Sequence, residues 1–161
     1  MKTLSEQQFY DLLYEKKWDG DYTLQPFRNM RYHFFLKGLE NIKMDLKDAK
    51  ILDYGCGNGY LVNFLIDKYH LNSKNVYGYD ISKRAIEIAK NKHKGVFIDS
   101  LKDFSNSFDL IICVDVIEHI SDDVSVINEF NQLLKNKSHI IISTSTYNFY
   151  WNKMDDLAGH Q

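Results

Sequence analysis

A glycine-rich segment at residues 51–61 places the strongest constraint on how this chain can fold. It begins with two apolar residues and ends where apolar residues recur at helical spacing. Between these parts, Gly55, Gly57 and Gly59 allow backbone angles and close approaches that a side chain would block. The segment therefore predicts a buried strand, a tight turn and the start of a helix, with backbone N–H groups available to a polar ligand.

The spacing of these glycines bears on which ligand the turn can hold. Dinucleotide-binding enzymes carry G-x-G-x-x-G after a strand, whereas this chain has G-x-G-x-G with Asp53 two residues before the first glycine. A carboxylate at the strand end would repel a doubly negative pyrophosphate but would attract an ammonium group. A dinucleotide-binding oxidoreductase is therefore disfavoured, and a ligand that carries an ammonium group is favoured.

Strand and helix patterns alternate from residue 48 onward. Strands are predicted at residues 50–54, 75–79, 95–98, 108–114 and 138–145, and the helices between them begin near residues 59, 82 and 122. This alternation predicts an α/β fold with a doubly wound, Rossmann-like, mainly parallel sheet. In the last helix, the spacing predicts that the following residues face inward: Val124, Ile127, Phe130, Leu133 and Leu134.

Two helices are predicted ahead of this sheet, within residues 1–45. Ser5 and Gln8 have the spacing of a capping box, and Pro26 suits the first turn of the second helix. These helices would cap one sheet edge or form a lid over a ligand. The side chains that could reach a bound carboxylate or a substrate are Tyr10, Tyr22, Arg28, Arg31 and Tyr32.

The composition excludes several broad classes of protein. With 44% hydrophobic residues in 161, the chain is globular in composition, and a net charge of −2 gives no support to a nucleic-acid or anionic-membrane binder. The sequence has neither a signal peptide nor an apolar run of membrane-spanning length, so a cytoplasmic location is expected. Cys56 and Cys113 fit no metal-binding pattern and are expected to be reduced structural thiols.

Acidic residues fall at or just after the ends of the predicted strands, where ligands of such sheets bind. They are Asp53, Asp80, Asp99 and Asp115. Asp80 lies about 20 residues past the glycine turn in the sequence. An acidic residue at this sequence separation can accept hydrogen bonds from ribose hydroxyls. Ile81 could pack against a purine, and Asp99, with Ser100 and Leu101 behind it, could accept a hydrogen bond from an adenine amino group.

Several of these segments resemble class I S-adenosylmethionine-dependent methyltransferases, in particular the small-molecule, methyltransferase type 11/12-like subgroup. Residues 53–59 resemble the family's first motif, D-x-G-C-G-x-G. Residues 76–82 look like its ribose-binding motif, and residues 108–120 are similar to its F-D-x-I-x-x-x-x-V-x-E-H motif. The resemblance runs from about residue 48 to the last residue. Residues 133–138 match the turn before strand five, with Asn136 and Ser138 where the family usually has Pro and Gly.

The resemblance implies a cofactor, a product and a set of contacts. S-adenosylmethionine would give its methyl group to a small molecule such as a sugar, a lipid or a metabolite precursor, leaving S-adenosylhomocysteine. Asp53 and the turn backbone would hold its amino-acid end, and residues 115–117 would line its methionine side. The implied cofactor-binding residues are Asp53, Gly55, Cys56, Gly57, Gly59, Asp80, Ile81, Asp99, Ser100, Leu101, Asp115, Val116 and Ile117.

The Glu118-His119 pair allows two interpretations. One Glu and one His are too few ligands for a metal site, so no metal is expected. His119 could act as a catalytic base that takes a proton from an acceptor hydroxyl. The alternative is a structural role, since the resemblance implies that this pair accompanies many different substrates.

The resemblance also implies a strand order of 3-2-1-4-5 and a family fold that continues for two more strands and a helix. We expect one domain at residues 1–161, with a helical cap at 1–45, a cofactor-binding core at 48–146 and the start of a substrate-side segment at 147–161. Three interpretations fit this pattern. The chain could be a fragment of a longer protein, a natural short form, or a chain that pairs through strand five, as a homodimer or with a partner chain. The alternative function is a non-catalytic subunit that binds the cofactor and needs a partner or a further segment for activity.

Overall fold

The computed structural model describes residues 5–16 and 35–144, and its centre is a five-stranded parallel sheet. The strands are β1 (Ile51–Tyr54), β2 (Val76–Tyr79), β3 (Val96–Ile98), β4 (Phe108–Val114) and β5 (Leu134–Ser143). They lie in the order β3-β2-β1-β4-β5, and each neighbouring pair is parallel. The predicted Rossmann-like fold and its strand order are confirmed.

Helices lie before the sheet and between its strands. They are α1 (Glu6–Lys16), α2 (described over residues 35–41), α3 (Tyr60–Tyr69), α4 (Lys83–Lys92) and α5 (Asp123–Leu133). The capping box of α1 is confirmed, because Ser5 N donates to Gln8 Oε1 at 3.1 Å and Gln8 N donates to Ser5 Oγ at 3.3 Å. No helix in the described part of the chain is long and apolar enough to span a membrane.

Some predictions concern residues outside the described ranges. They are the start of the second helix at Pro26, the segment at 147–161, and the side chains of Tyr22, Arg28, Arg31 and Tyr32.

The sheet separates two hydrophobic cores. Alternate residues of β4 point to opposite faces, so that Leu110 and Ile112 pack with α2, α3 and α4, whereas Ile111 and Cys113 pack with α5. All four of these side chains are 0% exposed. The apolar run in β4 therefore has the burial that its sequence predicts for a strand covered on both faces.

The buried face of α5 differs from the prediction. Val124 and Ile127 are 66% and 41% exposed, and the buried residues of this helix are Val126, Phe130 and Leu133. Phe130 is 0% exposed and meets the ring of Tyr54 edge-on, with 4.8 Å between centroids. Because residues are spaced by about 100° around a helix, Ile127 falls on the opposite flank of Phe130 from Val126 and Leu133. The sequence periodicity alone did not distinguish these two flanks.

β5 begins at Leu134, four residues earlier than predicted. Leu134 pairs with Phe108, and pairing resumes at His139 opposite Leu110. The residues between them form a bulge in which Ser138 Oγ donates to the carbonyl of Lys135 and Lys137 has a φ of 63°. The turn predicted at residues 133–138 is therefore formed as a bulge within the strand.

β5 is the outermost strand on its side of the described sheet. Ile141 lies near Gly38 of α2, whereas Ile140 and Ile142 on the other face are 37% and 40% exposed. The predicted pairing of a second chain along this edge stays a prediction.

We predict that Lys137→Gly stabilises the fold. A left-handed backbone costs an L-residue about 1–2 kcal/mol, and glycine loses part of this gain through its larger unfolded-state entropy. The expected net gain is about 0.5–1 kcal/mol, or about 1–4 °C in the melting temperature. Lys137→Ala is the matched control, because it removes the same side chain but keeps the strained backbone. Equal melting temperatures for the two variants would contradict this explanation.

Candidate functional site

The glycine turn lies between β1 and α3, at the carboxyl ends of the strands. Gly55, Gly57 and Gly59 have φ values of 77°, 54° and 83°, in the left-handed region that favours glycine. A Cβ at Gly55 would collide with the side chain of Val116, in the loop after β4. The glycine therefore allows that loop to approach the turn, which brings two predicted parts of the site together.

The first backbone amides of the turn donate hydrogen bonds to other residues of the protein. Gly55 N and Cys56 N both donate to the carbonyl of Tyr79 at the end of β2, at 2.7 and 2.8 Å. Gly57 N donates to Asp80 Oδ2 at 2.8 Å. These three amides therefore join the turn to the end of β2, and the expected contact between the turn and a ligand stays a prediction.

Asp80 lies directly after β2 and is 9% exposed. Its Oδ1 accepts a hydrogen bond from Ser82 N at 2.8 Å, and its Oδ2 accepts the one from Gly57 N. Burial raises the pKa of Asp80, the two backbone hydrogen bonds oppose this, and the negative charge of Asp11 adds to the rise. Each carboxylate oxygen has two lone pairs, so Asp80 keeps the capacity to accept hydroxyl donors. Ile81, next to it, is 43% exposed.

Asp53 lies within β1 and is 3% exposed. Its Oδ2 has no hydrogen-bond partner among the described residues. Burial, and then repulsion from Asp80, raise the pKa of Asp53 from 3.8 to about 8. A buried carboxyl oxygen without a partner is costly, and an ammonium group placed beside it would supply both a donor and a compensating charge.

The residues predicted to contact an adenine line a cavity of about 390 Å³. Asp99, Ser100 and Leu101 follow β3 and form one part of its wall, with Tyr79 beside them. The opposite part comes from α5, where Glu129 accepts a hydrogen bond from Tyr54 OH at 3.0 Å. A cavity of about 460 Å³ between α2 and the end of α3 contains none of the predicted site residues.

The loop after β4 carries the remaining predicted residues. Asp115 has a φ of 55°, and its N–H donates to the carbonyl of Ser143 in β5 at 2.8 Å. Val116 packs toward the glycine turn, and Ile117 opens a short 3₁₀ turn that ends at His119. The ring of His119 meets the ring of Tyr10 edge-on, with 6.4 Å between centroids. Tyr10 therefore lies against the same loop.

Both cysteines are buried free thiols. Burial raises the pKa of Cys56 well above its usual range, and nearby Asp53 and Asp80 add to the rise. Burial also raises the pKa of Cys113, to about 12. Both cysteines are therefore protonated at neutral pH. Across residues 5–16 and 35–144, no group of three or more His, Cys, Asp or Glu side chains is arranged to hold a metal ion.

Sequence reasoning missed two residues of α1 that contact the site. Asp11 Oδ1 accepts hydrogen bonds from Ser82 Oγ at 2.5 Å and from Arg84 N at 3.1 Å. The hydroxyl of Tyr14 stands 2.5 Å from where a Cβ of Gly57 would be. Tyr10 and Tyr14 are four residues apart and share a helix face, which was the available signal for Tyr14. No sequence signal connects Asp11 with residues more than 70 positions away.

A family model described as a methyltransferase domain matches residues 27–160. The ubiquinone biosynthesis O-methyltransferase of Pelagibacter ubique is 32% identical over 148 residues, which cover 81% of this chain and 60% of that protein. The tRNA U34 carboxymethyltransferase of Campylobacter hominis is 29% identical over 131 residues, covering 75% of this chain and 45% of that protein. This chain therefore spans about half to three fifths of the length of these relatives.

Among solved structures, an S-adenosylmethionine-dependent methyltransferase from Mesorhizobium loti has the same fold. The two structures superimpose with a TM-score of 0.55 and 22% sequence identity, over 67% of this chain and 51% of the Mesorhizobium loti chain. The family model spans most of the sequence, including all five strands and the loops that follow them. The chain therefore belongs to the methyltransferase-domain family, within the class I S-adenosylmethionine-dependent methyltransferases.

Proposed function

We propose that this chain binds S-adenosylmethionine at the glycine turn and transfers its methyl group to a small-molecule acceptor, with S-adenosylhomocysteine as product. The observation that carries the proposal is the buried Asp53 carboxyl, one oxygen of which has no partner among the described residues, beside a turn whose glycines have left-handed backbones. The cofactor supplies a methyl group already activated on a sulfonium. The protein has to hold the acceptor in line with that group and to exclude water.

The described residues fit this cofactor part by part. Asp53 offers a carboxyl oxygen to the ammonium of the amino-acid end, and Asp80 retains lone pairs for the ribose hydroxyls. The exposed side chain of Ile81 is available to a purine, and residues 99–101 line the cavity that would hold the adenine. In this assignment Val116, which packs against Gly55, and Ile117 would line the methionine side.

For the acceptor, we propose an oxygen atom of a small molecule. The support is that several relatives besides the Pelagibacter protein are named as ubiquinone biosynthesis O-methyltransferases. A nucleotide in tRNA is the second candidate, because one relative acts on tRNA U34 by name. The net charge of −2 favours the small molecule, since RNA binding usually needs a basic surface.

The acceptor class can be tested by incubating the chain with S-adenosylmethionine labelled in its methyl group. Label is expected in the organic-soluble small-molecule fraction of a cell extract and not in purified tRNA. Label in tRNA would favour the second candidate. Saturable binding of the cofactor without any transfer would favour the alternative of a non-catalytic subunit.

Asp53→Asn tests the contact with the ammonium. Because the pKa of Asp53 is raised from 3.8 to about 8, most of the apo protein at pH 7 holds a proton on Asp53, and the stability gained from this protonation is lost as pH rises from 3.8 through about 8. Binding an ammonium requires the carboxylate, so the wild type is expected to release close to one proton per S-adenosylhomocysteine bound at pH 7. Its affinity should rise by up to about tenfold per unit between pH 6 and pH 8.

The Asp53→Asn variant is expected to bind more weakly at pH 8, without proton release and without this pH dependence. Calorimetric titration in buffers of different ionisation enthalpy counts the released protons. Asp103→Asn, a change at an exposed acid, is the control. Proton release that persists in Asp53→Asn would assign it to another group and contradict the role of Asp53.

Asp80→Asn tests the proposed ribose contact. It keeps one acceptor oxygen but loses the charge, and its new amide cannot accept the hydrogen bonds from both Gly57 N and Ser82 N. We expect S-adenosylhomocysteine affinity to fall about 10- to 100-fold, with free adenine unaffected. Equilibrium titration of a variant whose circular dichroism is unchanged measures this. An affinity equal to that of the wild type would show that Asp80 does not contact the cofactor.

His119→Asn tests the proposed base. If His119 takes a proton from the acceptor hydroxyl, kcat is expected to fall by about 100-fold or more while the Kd for S-adenosylhomocysteine stays within about threefold. An unchanged kcat together with a lower melting temperature would instead assign His119 a structural role.

A further inference from the structure

We infer that Asp11 is a positioning residue that holds α1 over the cofactor site through its hydrogen bond with Ser82. The cofactor can then enter or leave only when this hydrogen bond breaks. The inference rests on the proposed function of the glycine turn and Asp80. It assigns a role to α1 that neither the family match nor the motifs of the core supply, because α1 precedes the matched residues.

The contact joins α1 to the start of α4. Asp11 Oδ1 accepts from Ser82 Oγ at 2.5 Å and from Arg84 N at 3.1 Å. An acidic side chain at a helix N-terminus is favoured both by the unpaired backbone amides and by the helix dipole. Because both donors point at one carboxylate oxygen, the position of α1 is defined relative to the first turn of α4.

Ser82 connects this contact to the proposed ribose acceptor. It is fully buried, it caps α4 by accepting a hydrogen bond from Ala85 N at 3.1 Å, and its own N–H donates to Asp80 Oδ1 at 2.8 Å. One serine therefore bridges the carboxylates of Asp11 and Asp80. A movement of Asp11 away from Ser82 changes the hydrogen bonds of the residue that orients Asp80.

α1 also touches the two other loops of the proposed site. The hydroxyl of Tyr14 lies beside Gly57, close enough that a Cβ there would be 2.5 Å away, and the ring of Tyr10 lies against His119. Within five residues, α1 thus reaches the loops that follow β1, β2 and β4. A ligand held by Asp80 and the glycine turn would lie beneath this helix, and α1 would have to lift before the ligand could leave.

Removal of the contact should therefore speed exchange in both directions. In Asp11→Ala, we expect S-adenosylhomocysteine to dissociate about tenfold faster and to associate severalfold faster, so that the Kd changes less than either rate. Asp11→Asn keeps an acceptor oxygen for Ser82 and Arg84, so its rates should lie between those of Asp11→Ala and the wild type. Glu15→Gln, at an exposed acid on the same helix, should stay within about twofold of the wild type.

Stopped-flow fluorescence measures both rates. Faster dissociation together with faster association supports the inference, because a mere loss of binding residues would speed dissociation alone. Rates for Asp11→Ala within about twofold of the wild type, or faster dissociation without faster association, would overturn it.

Hydrogen exchange of the ligand-free protein provides a test that does not depend on the cofactor. In Asp11→Ala, peptides from α1 and from residues 80–86 should exchange faster, while peptides from α3 should match the wild type. Unchanged exchange in α1 and residues 80–86 would overturn the Asp11–Ser82 contact. If the wild type binds no S-adenosylhomocysteine but this exchange pattern is seen, the contact stands and the proposed function fails.

Discussion

The hydrogen bond from Gly57 N to Asp80 Oδ2 is the interaction on which the candidate site depends. It joins the turn after β1 to the residue after β2, and the carbonyl of Tyr79 reinforces it by accepting from Gly55 N and Cys56 N. β1 and β2 are parallel neighbours that end in register, with Tyr54 opposite Tyr79. The two loops therefore leave the sheet side by side, and one buried carboxylate can organise both. α4 and α1 are then attached to the same point through Ser82.

The site has an electrostatic cost in the ligand-free fold. Asp53 and Asp80 are both buried, and repulsion between them contributes to the raised pKa of Asp53. Asp80 is stabilised by two backbone donors, whereas Asp53 Oδ2 has no such partner in the described part of the chain. Buried carboxyl groups in this state are typical of functional sites, because a bound cation offsets the desolvation that the fold alone does not.

Much of the fold followed from local patterns, and the errors have physical causes. The alternation of strands and helices gave the sheet, and the capping residues Ser5, Ser82 and Asp122 mark helix starts where the sequence placed them. The burial of Ile127 was predicted wrongly, because periodicity does not say which flank of α5 meets the sheet. The early start of β5 depends on a bulge whose residue at positive φ, Lys137, is not a typical turn former. The contacts of Asp11 and Tyr14 are tertiary, and no local pattern encodes them.

The most direct measurement is the crystal structure of this chain with S-adenosylhomocysteine. We expect the α-amino nitrogen within hydrogen-bond distance of Asp53 Oδ2, both ribose hydroxyls on Asp80, and the adenine between Ile81 and residues 99–101. S-adenosylhomocysteine bound elsewhere, or bound with its amino group away from Asp53, would show that the buried carboxyl of Asp53 does not hold the cofactor.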